Sequence, residues 1–300
     1  MTTLWTGLLG AETRFYDARG IRTRSIQAGS GETVLFLHGT GATAEAFARN
    51  VVPLATRYDA RAIDILGHGL TGTIDGPLSK EAFIGHVIDY MDEAGIERAH
   101  VIGNSLGGWI AIWLALMHPS RVRKIVNIVG PHFAVPISEE TRAQTQAAAD
   151  RLKKLSKDLA DDPTPQHMRA RLGWLFHNVE RDLTDELVDV RWTLYKRSTN
   201  GKQVSNFVGN PGAENILTPE RLAKLEHSTL LVWTDHNPAP AAVAESVVGC
   251  LPDGELIVMK NCGHWPQWED AATFNRMVMT FLQAPARAAA APGQMTSPTL

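Results

Sequence analysis

The sequence predicts an α/β protein in which helices flank a mostly parallel central sheet and one helical segment is inserted between strands. Short β-branched runs alternate with helical patterns, and several of these runs are apolar throughout, which indicates strands covered on both faces. Strand patterns stop between residues 131 and 227, where polar helical patterns take over. A Gly-x-Ser-x-Gly motif at residues 103–107 joins a strand pattern directly to an apolar helical pattern.

The elements follow in order along the chain. An antiparallel pair at residues 14–16 and 22–27 surrounds Gly20. Parallel strands are predicted at residues 33–37, 59–65, 100–103, 124–129, 230–233 and 255–259. Core helices are predicted at residues 43–55, 79–93, 106–117, 239–250 and 268–282. The chain then divides into a first core part at residues 1–133, a helical cap at 134–226, a second core part at 227–284, and a disordered Ala- and Pro-rich tail at 285–300.

The composition is that of a globular protein with a large core. Of its 300 residues, 44% are hydrophobic and 20% are charged. The net charge of -3 favours neither nucleic acid nor an anionic membrane as a partner. No apolar run approaches the roughly 20 residues that span a bilayer, and no basic residue precedes the apolar stretch at residues 4–10. We therefore expect neither a membrane anchor nor a signal peptide.

The two cysteines, Cys250 and Cys262, fall on different predicted elements. This separation indicates reduced thiols and a cytoplasmic protein. The sequence shows no cluster of metal ligands, so we expect neither a metal nor an organic cofactor. The sequence is also compatible with a homodimer.

The serine of the Gly-x-Ser-x-Gly motif is the predicted nucleophile. A tight turn from strand to helix requires neighbours without bulk, and Gly103 and Gly107 meet that requirement. Ser105 Oγ would then be exposed at the carboxyl end of the sheet. The remaining needs are a base, a group that orients the base, and donors for an oxyanion.

The predicted base is His264, which lies in a loop after the last strand and before the last helix. That position places its imidazole over the same sheet edge as Ser105. Backbone N–H groups are the expected oxyanion donors. One belongs to Leu106, directly after the nucleophile, and the other to Thr40 or Gly41 in the loop that follows the first parallel strand.

The group that orients His264 has two candidates in the loop at residues 234–238. Asp235 is the only carboxylate there, and we favour it as the acid. Asn237 stands three positions beyond the first loop residue, where an acid is usual. In the alternative, Asp235 stabilises a turn and Asn237 orients the base without supplying charge.

A cap arginine is the candidate for binding an anion. Residues 184–186 form a helix start with acids in the first turn. Arg191 shares a helix face with the apolar side chains three and four residues before it. An arginine on such a face is costly unless it meets an anion. The alternatives are an internal ion pair, a side chain that reaches solvent, or an anion site built on Arg169 or Arg171 instead.

Residues 38–41, 103–108 and 261–269 carry a resemblance to a known family. The chain resembles the meta-cleavage product hydrolases, which have the α/β-hydrolase fold. They cleave carbon–carbon bonds in 2-hydroxy-6-oxohexa-2,4-dienoate-type compounds from the degradation of aromatic rings. The Cys-Gly-His-Trp-Pro-Gln-Trp-Glu run at residues 262–269 is the most specific part.

The resemblance implies roles for further residues. It assigns substrate contacts to Asn104, Trp265, Asn50 and Arg191, and it implies no metal or cofactor. The sequence departs from the family in the acid loop, where Asn237 occupies the carboxylate position.

The predicted function is therefore serine-dependent hydrolysis of a carbon–carbon bond in a small dienoate carboxylate. A carboxylesterase or lactonase with the same triad is the first alternative, and a ligand-binding protein without turnover is the second. The sequence does not define the substituent on C6 of the substrate.

Overall fold

Eight strands form one sheet in the computed structural model, which describes residues 3–197 and 212–285. The strands are β1 (Glu12–Ala18), β2 (Ile21–Ala28), β3 (Thr33–Leu37), β4 (Asp59–Ile63), β5 (Ala99–Asn104), β6 (Val122–Ile128), β7 (Thr229–Thr234) and β8 (Gly254–Met259). Their order across the sheet is β1-β2-β4-β3-β5-β6-β7-β8. The β1–β2 and β2–β4 pairs are antiparallel, and all others are parallel. The predicted α/β-hydrolase fold, with its mostly parallel sheet, is confirmed.

The central strands are buried on both faces. Every residue of β3, β5 and β7 is buried, as expected when helices cover both sides of a parallel sheet. All carboxyl ends of β3 to β8 lie at one edge, because these strands run in the same direction. Loops that follow β3, β5, β7 and β8 therefore meet there.

Seven helices accompany the sheet in the described residues. They are α1 (Leu4–Gly7), α2 (Val51–Leu54), α3 (Lys80–Glu93), α4 (Leu106–Met117), α10 (Ala241–Val248), α11 (Pro266–Glu269) and α12 (Ala271–Gln283). Helices α5 to α9 lie between β6 and β7, and their ranges are given with that segment below. Helix α3 begins after Ser79, whose side chain accepts from the Ala82 N–H and caps the helix. Helix α4 begins directly after Ser105.

Two predicted helices are interrupted. The helix expected at residues 43–55 is a 3₁₀ turn (Ala44–Phe47) followed by the short α2. Pro53 explains this, since it lacks the N–H that a continuous helix would need. The helix expected at residues 268–282 breaks at Asp270, whose backbone is not helical (φ -132°, ψ 66°) and whose side chain caps α12 by accepting from the Thr273 N–H.

The segment between β6 and β7 is helical wherever it is regular in the described residues. It contains α5 (Glu139–Asp161), α6 (Pro165–Gly173), α7 (Val179–Asp182), α8 (Asp185–Arg197) and α9 (Pro219–Leu222). Helix α6 packs on α5 and α8. We propose that this segment is the cap, with the predicted bounds 134–226. The predicted tail lies, after residue 285, outside the described residues.

No helix in residues 3–197 and 212–285 combines the length and hydropathy needed to cross a membrane.

Candidate active site

Ser105 lies in a strained turn between β5 and α4. Its φ of 51° is in the left-handed region, which is unfavourable for a residue with a side chain. A Cβ on Gly103 would overlap the carbonyl of Gly107, and a Cβ on Gly107 would overlap the carbonyl of Leu37. The predicted need for glycine at both positions is confirmed. The turn is therefore held in its strained form by packing against β3.

The turn leaves the Ser105 hydroxyl at the carboxyl edge of the sheet, half-buried. The Ser105 N–H donates to Ile128 O of β6 at 2.8 Å, which fixes the backbone of the nucleophile. Within the described residues, Ser105 Oγ makes no hydrogen bond. The hydrogen bond that a serine and its base share is often long without substrate and tightens in the complex.

His264 lies in the loop between β8 and α11 and is 9% exposed. Its Nδ1 lies 2.8 Å from Asn237 Oδ1. The amide of Asn237 is oriented by its own Nδ2, which donates to Ala239 O at 2.8 Å. Asn237 Oδ1 therefore accepts from His264 Nδ1, and the lone pair of the imidazole is on Nε2. This is the tautomer that a general base needs.

The structure contradicts our preference for Asp235 as the partner of His264. The Asp235 N–H still pairs with Met259 O of β8 at 3.1 Å, so this residue continues the end of β7. Burial alone would raise the pKa of the Asp235 carboxyl, but the backbone N–H groups of Asn261 and Cys262 outweigh it and lower the pKa. Asp235 thus faces the backbone of the neighbouring loop, and Asn237, two residues later, reaches His264.

The environment of His264 strongly favours the neutral imidazole. Burial, together with the positive charge of Arg171, lowers its pKa to about 3. Asn237 carries no charge that would oppose this. The ring of Trp174 lies 5.2 Å from the imidazole and covers it from the cap side.

The loop after β3 lies against the nucleophile. A Cβ on Gly39 would be 3.1 Å from Ser105 Cβ. The Ala42 N–H donates to Gly39 O at 2.9 Å, and Gly41 has a φ of +66°, so the loop turns tightly. The Oγ1 atom of Thr40 is buried without a hydrogen-bond partner in the described residues. The loop is thus close enough to supply an oxyanion donor opposite the first N–H of α4, which belongs to Leu106.

A buried ion cluster holds the end of the loop after β3. Arg24 of β2 donates to Glu45 at 2.8 Å and to Asp64 at 2.7 Å. Asp64 also accepts from the N–H groups of Ala44 and Leu70, each at 2.8 Å. This cluster ties β2, the end of β4 and the loop together. No spacing pattern in the sequence indicates this cluster.

Arg191 of α8 is buried, with 6% exposure, and lies over the same loop. Its Nη2 donates to the carbonyl oxygen of Gly41. Its Nη1 has no hydrogen-bond partner in the described residues. Burial and, to a smaller extent, the charge of Arg171 lower the pKa of Arg191 to about 9, although Glu45 and Asp64 oppose this from a distance. A carboxylate bound here would relieve an uncompensated buried charge.

Asn104, next to Ser105 in the chain, contacts the loop of His264. It is fully buried, and its Nδ2 donates to His264 O at 3.2 Å. The structure therefore brings the residue before Ser105 into direct contact with the backbone of His264. Its Oδ1 has no partner in the described residues and lies by Gly39.

Asn50 and Trp265 lie deeper than the nucleophile. Asn50 Nδ2 donates to Gln267 O at 3.0 Å and to Asn275 Oδ1 at 2.8 Å, so both of its N–H bonds are used by the protein. Only its Oδ1 lacks a partner among the described residues. Trp265 is 1% exposed and packs edge-on against Phe176 of the cap segment, with centroids 5.6 Å apart.

Glu269 holds the loop of His264, a role that the sequence did not predict. Its carboxylate accepts from the N–H of Gly263, next to His264, at 2.6 Å and from the N–H of His177 at 2.8 Å. Burial raises its pKa to about 7 against these donors. One carboxylate thus joins the loop of the base to the cap segment. Its place in the motif at residues 262–269 was the only signal in the sequence.

The chain is similar in sequence to known proteins. A family model described as alpha/beta hydrolase fold matches residues 32–271. A 2-hydroxy-6-oxononadienedioate/2-hydroxy-6-oxononatrienedioate hydrolase of Paraburkholderia xenovorans is 34% identical over 269 residues, which cover 85% of this chain and 88% of that protein.

Solved structures show the same fold. The 2-hydroxy-6-oxo-6-phenylhexa-2,4-dienoate hydrolase from a Rhodococcus species superposes with a TM-score of 0.76 at 21% identity, covering 91% of this chain and 99% of its own. A meta-cleavage product hydrolase from Pseudomonas fluorescens gives 0.74 at 25% identity, covering 91% and 98%. The chain therefore belongs to the α/β-hydrolase fold family and, within it, to the meta-cleavage product hydrolases.

Proposed function

We propose that this protein hydrolyses the carbon–carbon bond between C5 and C6 of a 2-hydroxy-6-oxo-hexa-2,4-dienoate-type compound from aromatic degradation. The observation that carries the proposal is Arg191, a buried guanidinium above the oxyanion loop with no carboxylate partner in the described residues. The dienoate supplies that carboxylate at C1. The relative from Paraburkholderia xenovorans is named for a substrate of this kind.

The substrate would lie between Arg191 and Ser105. The guanidinium binds the C1 carboxylate through charge-assisted hydrogen bonds. As the family resemblance implies, the dienol first becomes a ketone when a proton moves from the 2-hydroxyl to C5. The C5–C6 bond can then break with its electron pair held in a stabilised enolate.

In this scheme, residues of the core cleave the C5–C6 bond. His264 Nε2 accepts the proton of Ser105 as Oγ attacks the C6 carbonyl. The oxyanion rests on the Leu106 N–H and on an N–H of Thr40 or Gly41. The C5–C6 bond breaks with its electron pair delocalised into the C2 enolate, the enolate takes up the proton that His264 carries, and an acyl ester remains on Ser105. Water activated by His264 then releases the carboxylic acid. The scheme uses no metal or organic cofactor.

Asn237 takes the place of a triad acid in this scheme. It holds the imidazole in the tautomer required of a base, but it adds no negative charge to stabilise the imidazolium. We propose that Asn104 and Trp265 contact the substrate from the core side. Asn50 could do so only through its Oδ1, since its N–H groups are already bonded.

The test is spectrophotometric. The purified protein should bleach a yellow ring-fission dienoate with a rate constant far above that for a p-nitrophenyl ester, and Ser105→Ala should abolish the bleaching. A strong preference for the ester would favour a carboxylesterase or lactonase. Full turnover of the dienoate by Ser105→Ala would exclude the scheme.

A ligand-binding protein without turnover is the second candidate, favoured by the uncharged Asn237 and by the absence of a Ser105 hydrogen bond in the described residues. A fluorophosphonate probe separates the two. Labelling of Ser105 supports the enzyme, and a failure to label favours the binding protein.

Two further predictions concern the location of the protein in the cell and its oligomeric state. Cys250 and Cys262 are free thiols, which supports the proposed cytoplasmic location. The small-molecule dienoate is the proposed partner. A homodimer stays an untested prediction.

A further inference from the structure

A second cap arginine, Arg171, is held without a carboxylate. It lies in the last turn of α6 and is half-buried. Its Nε donates to Ser156 Oγ of α5 at 3.0 Å, the one hydrogen bond that the side chain makes in the described residues. Residues 1–2, 198–211 and 286–300, which the structure does not describe, contain no Asp or Glu. Every Asp and Glu of the chain therefore lies in the described residues, and none of them pairs with Arg171 there.

Arg171 lies on the part of α6 that is next to His264. Trp174 follows it by three residues, so the two side chains leave the same face at the end of α6. The Trp174 ring lies 5.2 Å from His264. Helix α6 also packs on α8, which carries Arg191. The two guanidinium groups thus approach one site from neighbouring helices.

The electrostatics agree with this placement. Burial lowers the pKa of Arg171 to about 10. Its charge in turn lowers the pKa of both Arg191 and His264. Two cations therefore repel each other beside the base, and the single C1 carboxylate of a dienoate would compensate only one of them.

Arg169 shows the ordinary behaviour of an arginine on the same helix. It is exposed and forms an ion pair with Asp185. Such a surface pair contributes little free energy. Arg171 lies two residues away, is half-buried, and forms no ion pair in the described residues.

We propose that Arg171 is a specificity-determining residue that binds a second carboxylate, at the far end of the C6 substituent. The preferred substrates are then dianionic ring-fission products with a carboxylate at each end. Arg191 takes the C1 carboxylate, and Arg171 takes the distal one on the His264 side. This assignment rests on the proposed function, since it places the reacting ketone between the two arginines.

The kinetic test compares two dienoates of equal length, one whose C6 substituent ends in a carboxylate and one that ends in a methyl group. For the unchanged protein, kcat/KM should favour the dianion. Arg171→Met should lower kcat/KM for the dianion about 10- to 100-fold, mainly through KM, the equivalent of one charge-assisted hydrogen bond. It should leave the monoanion nearly unchanged. Arg169→Met is the matched control and should alter neither substrate. Thermal melting confirms that each variant is folded.

A binding experiment tests this inference independently of the proposed function. Azelate, a saturated dicarboxylate, and nonanoate, its monoanionic counterpart, are titrated by calorimetry. Tighter binding of azelate that is lost in Arg171→Met supports the inference even if no dienoate is turned over, in which case only the proposed function fails. Equal binding of both acids, or equal losses on both dienoates in Arg171→Met, overturns the inference.

Discussion

Two buried arginines on opposite sides of the same loop have opposite surroundings. Arg24, in the core, donates to two carboxylates, Glu45 and Asp64, and these hydrogen bonds raise its pKa against the effect of burial. Arg191, in the cap segment, meets the carbonyl of Gly41 and no carboxylate in the described residues, and its pKa falls to about 9.

The difference in carboxylate partners indicates that Arg24 stabilises the fold and that Arg191 is placed to bind a ligand. The core cluster compensates its arginine and uses Asp64 to hold the backbone of the loop. With two carboxylates and one arginine, it is negative if both acids are ionised, and it helps to keep Arg191 charged from a distance. Arg191 has no carboxylate partner in the described residues. In the function that we propose, the core provides the catalytic edge, and the cap provides positive charge for a ligand.

The largest effect is expected in the core. His264→Ala removes the base and should lower kcat roughly 10⁴-fold or more with little change in KM, as for other members of a catalytic triad. Single-turnover bleaching of the dienoate measures it. A loss below tenfold would mean that the cap, rather than the core, supplies the chemistry.

Arg24→Met tests the structural half of the comparison. It leaves Glu45 and Asp64 buried without their partner and should lower the free energy of unfolding by about 3–5 kcal/mol, measured by urea denaturation. The pKa of each unpartnered carboxyl then lies above its unfolded value, so ionisation favours unfolding. The loss should therefore be larger at pH 8 than at pH 5. A loss independent of pH would contradict this account.

Arg191→Met tests the binding half. Removing an uncompensated buried charge should leave the melting temperature unchanged or raise it. The same change should lower kcat/KM for the dienoate about 30- to 1,000-fold, the equivalent of roughly 2–4 kcal/mol. A fall in melting temperature like that of Arg24→Met, with activity retained, would show that both arginines are structural.

A smaller effect is expected at the loop that orients the base. In the unchanged protein, the pKa of His264 is about 3, so kcat/KM should stay level from pH 8 down to pH 5. Asn237→Asp introduces a negative charge beside the imidazolium and should move the acid limb upward by about 1–3 pH units. Asp235→Asn is the matched control and should change the rate less than about threefold. An acid limb already near pH 6.5 in the unchanged protein would refute the neutral, buried base.

Local patterns in the sequence predicted the core edge well. The glycines at 103 and 107, the apolar strand before them and the helix after them all indicate the same turn, and the structure has that turn. The six predicted parallel strands are all present, with ends within two residues of the expected ones. These features depend on neighbours in sequence, which a pattern can represent.

The rest depends on contacts between distant residues. Whether Asp235 or Asn237 reaches His264 is decided by how far β7 continues, since the Asp235 N–H still pairs with β8. The Arg24 cluster joins residues 21 and 40 positions apart. Glu269 acts across 92 residues to His177. No spacing rule in the sequence identifies such partners.

The most direct test of the account is a thermodynamic cycle between Arg191 and the C1 carboxylate of the substrate. The dienoate and its C1 carboxamide are compared on the unchanged protein and on Arg191→Met. We predict that the two losses in kcat/KM are not additive, with a coupling of at least about 30-fold, or roughly 2 kcal/mol. Additive losses would show that the guanidinium and the carboxylate do not meet, and they would contradict the proposed function of Arg191.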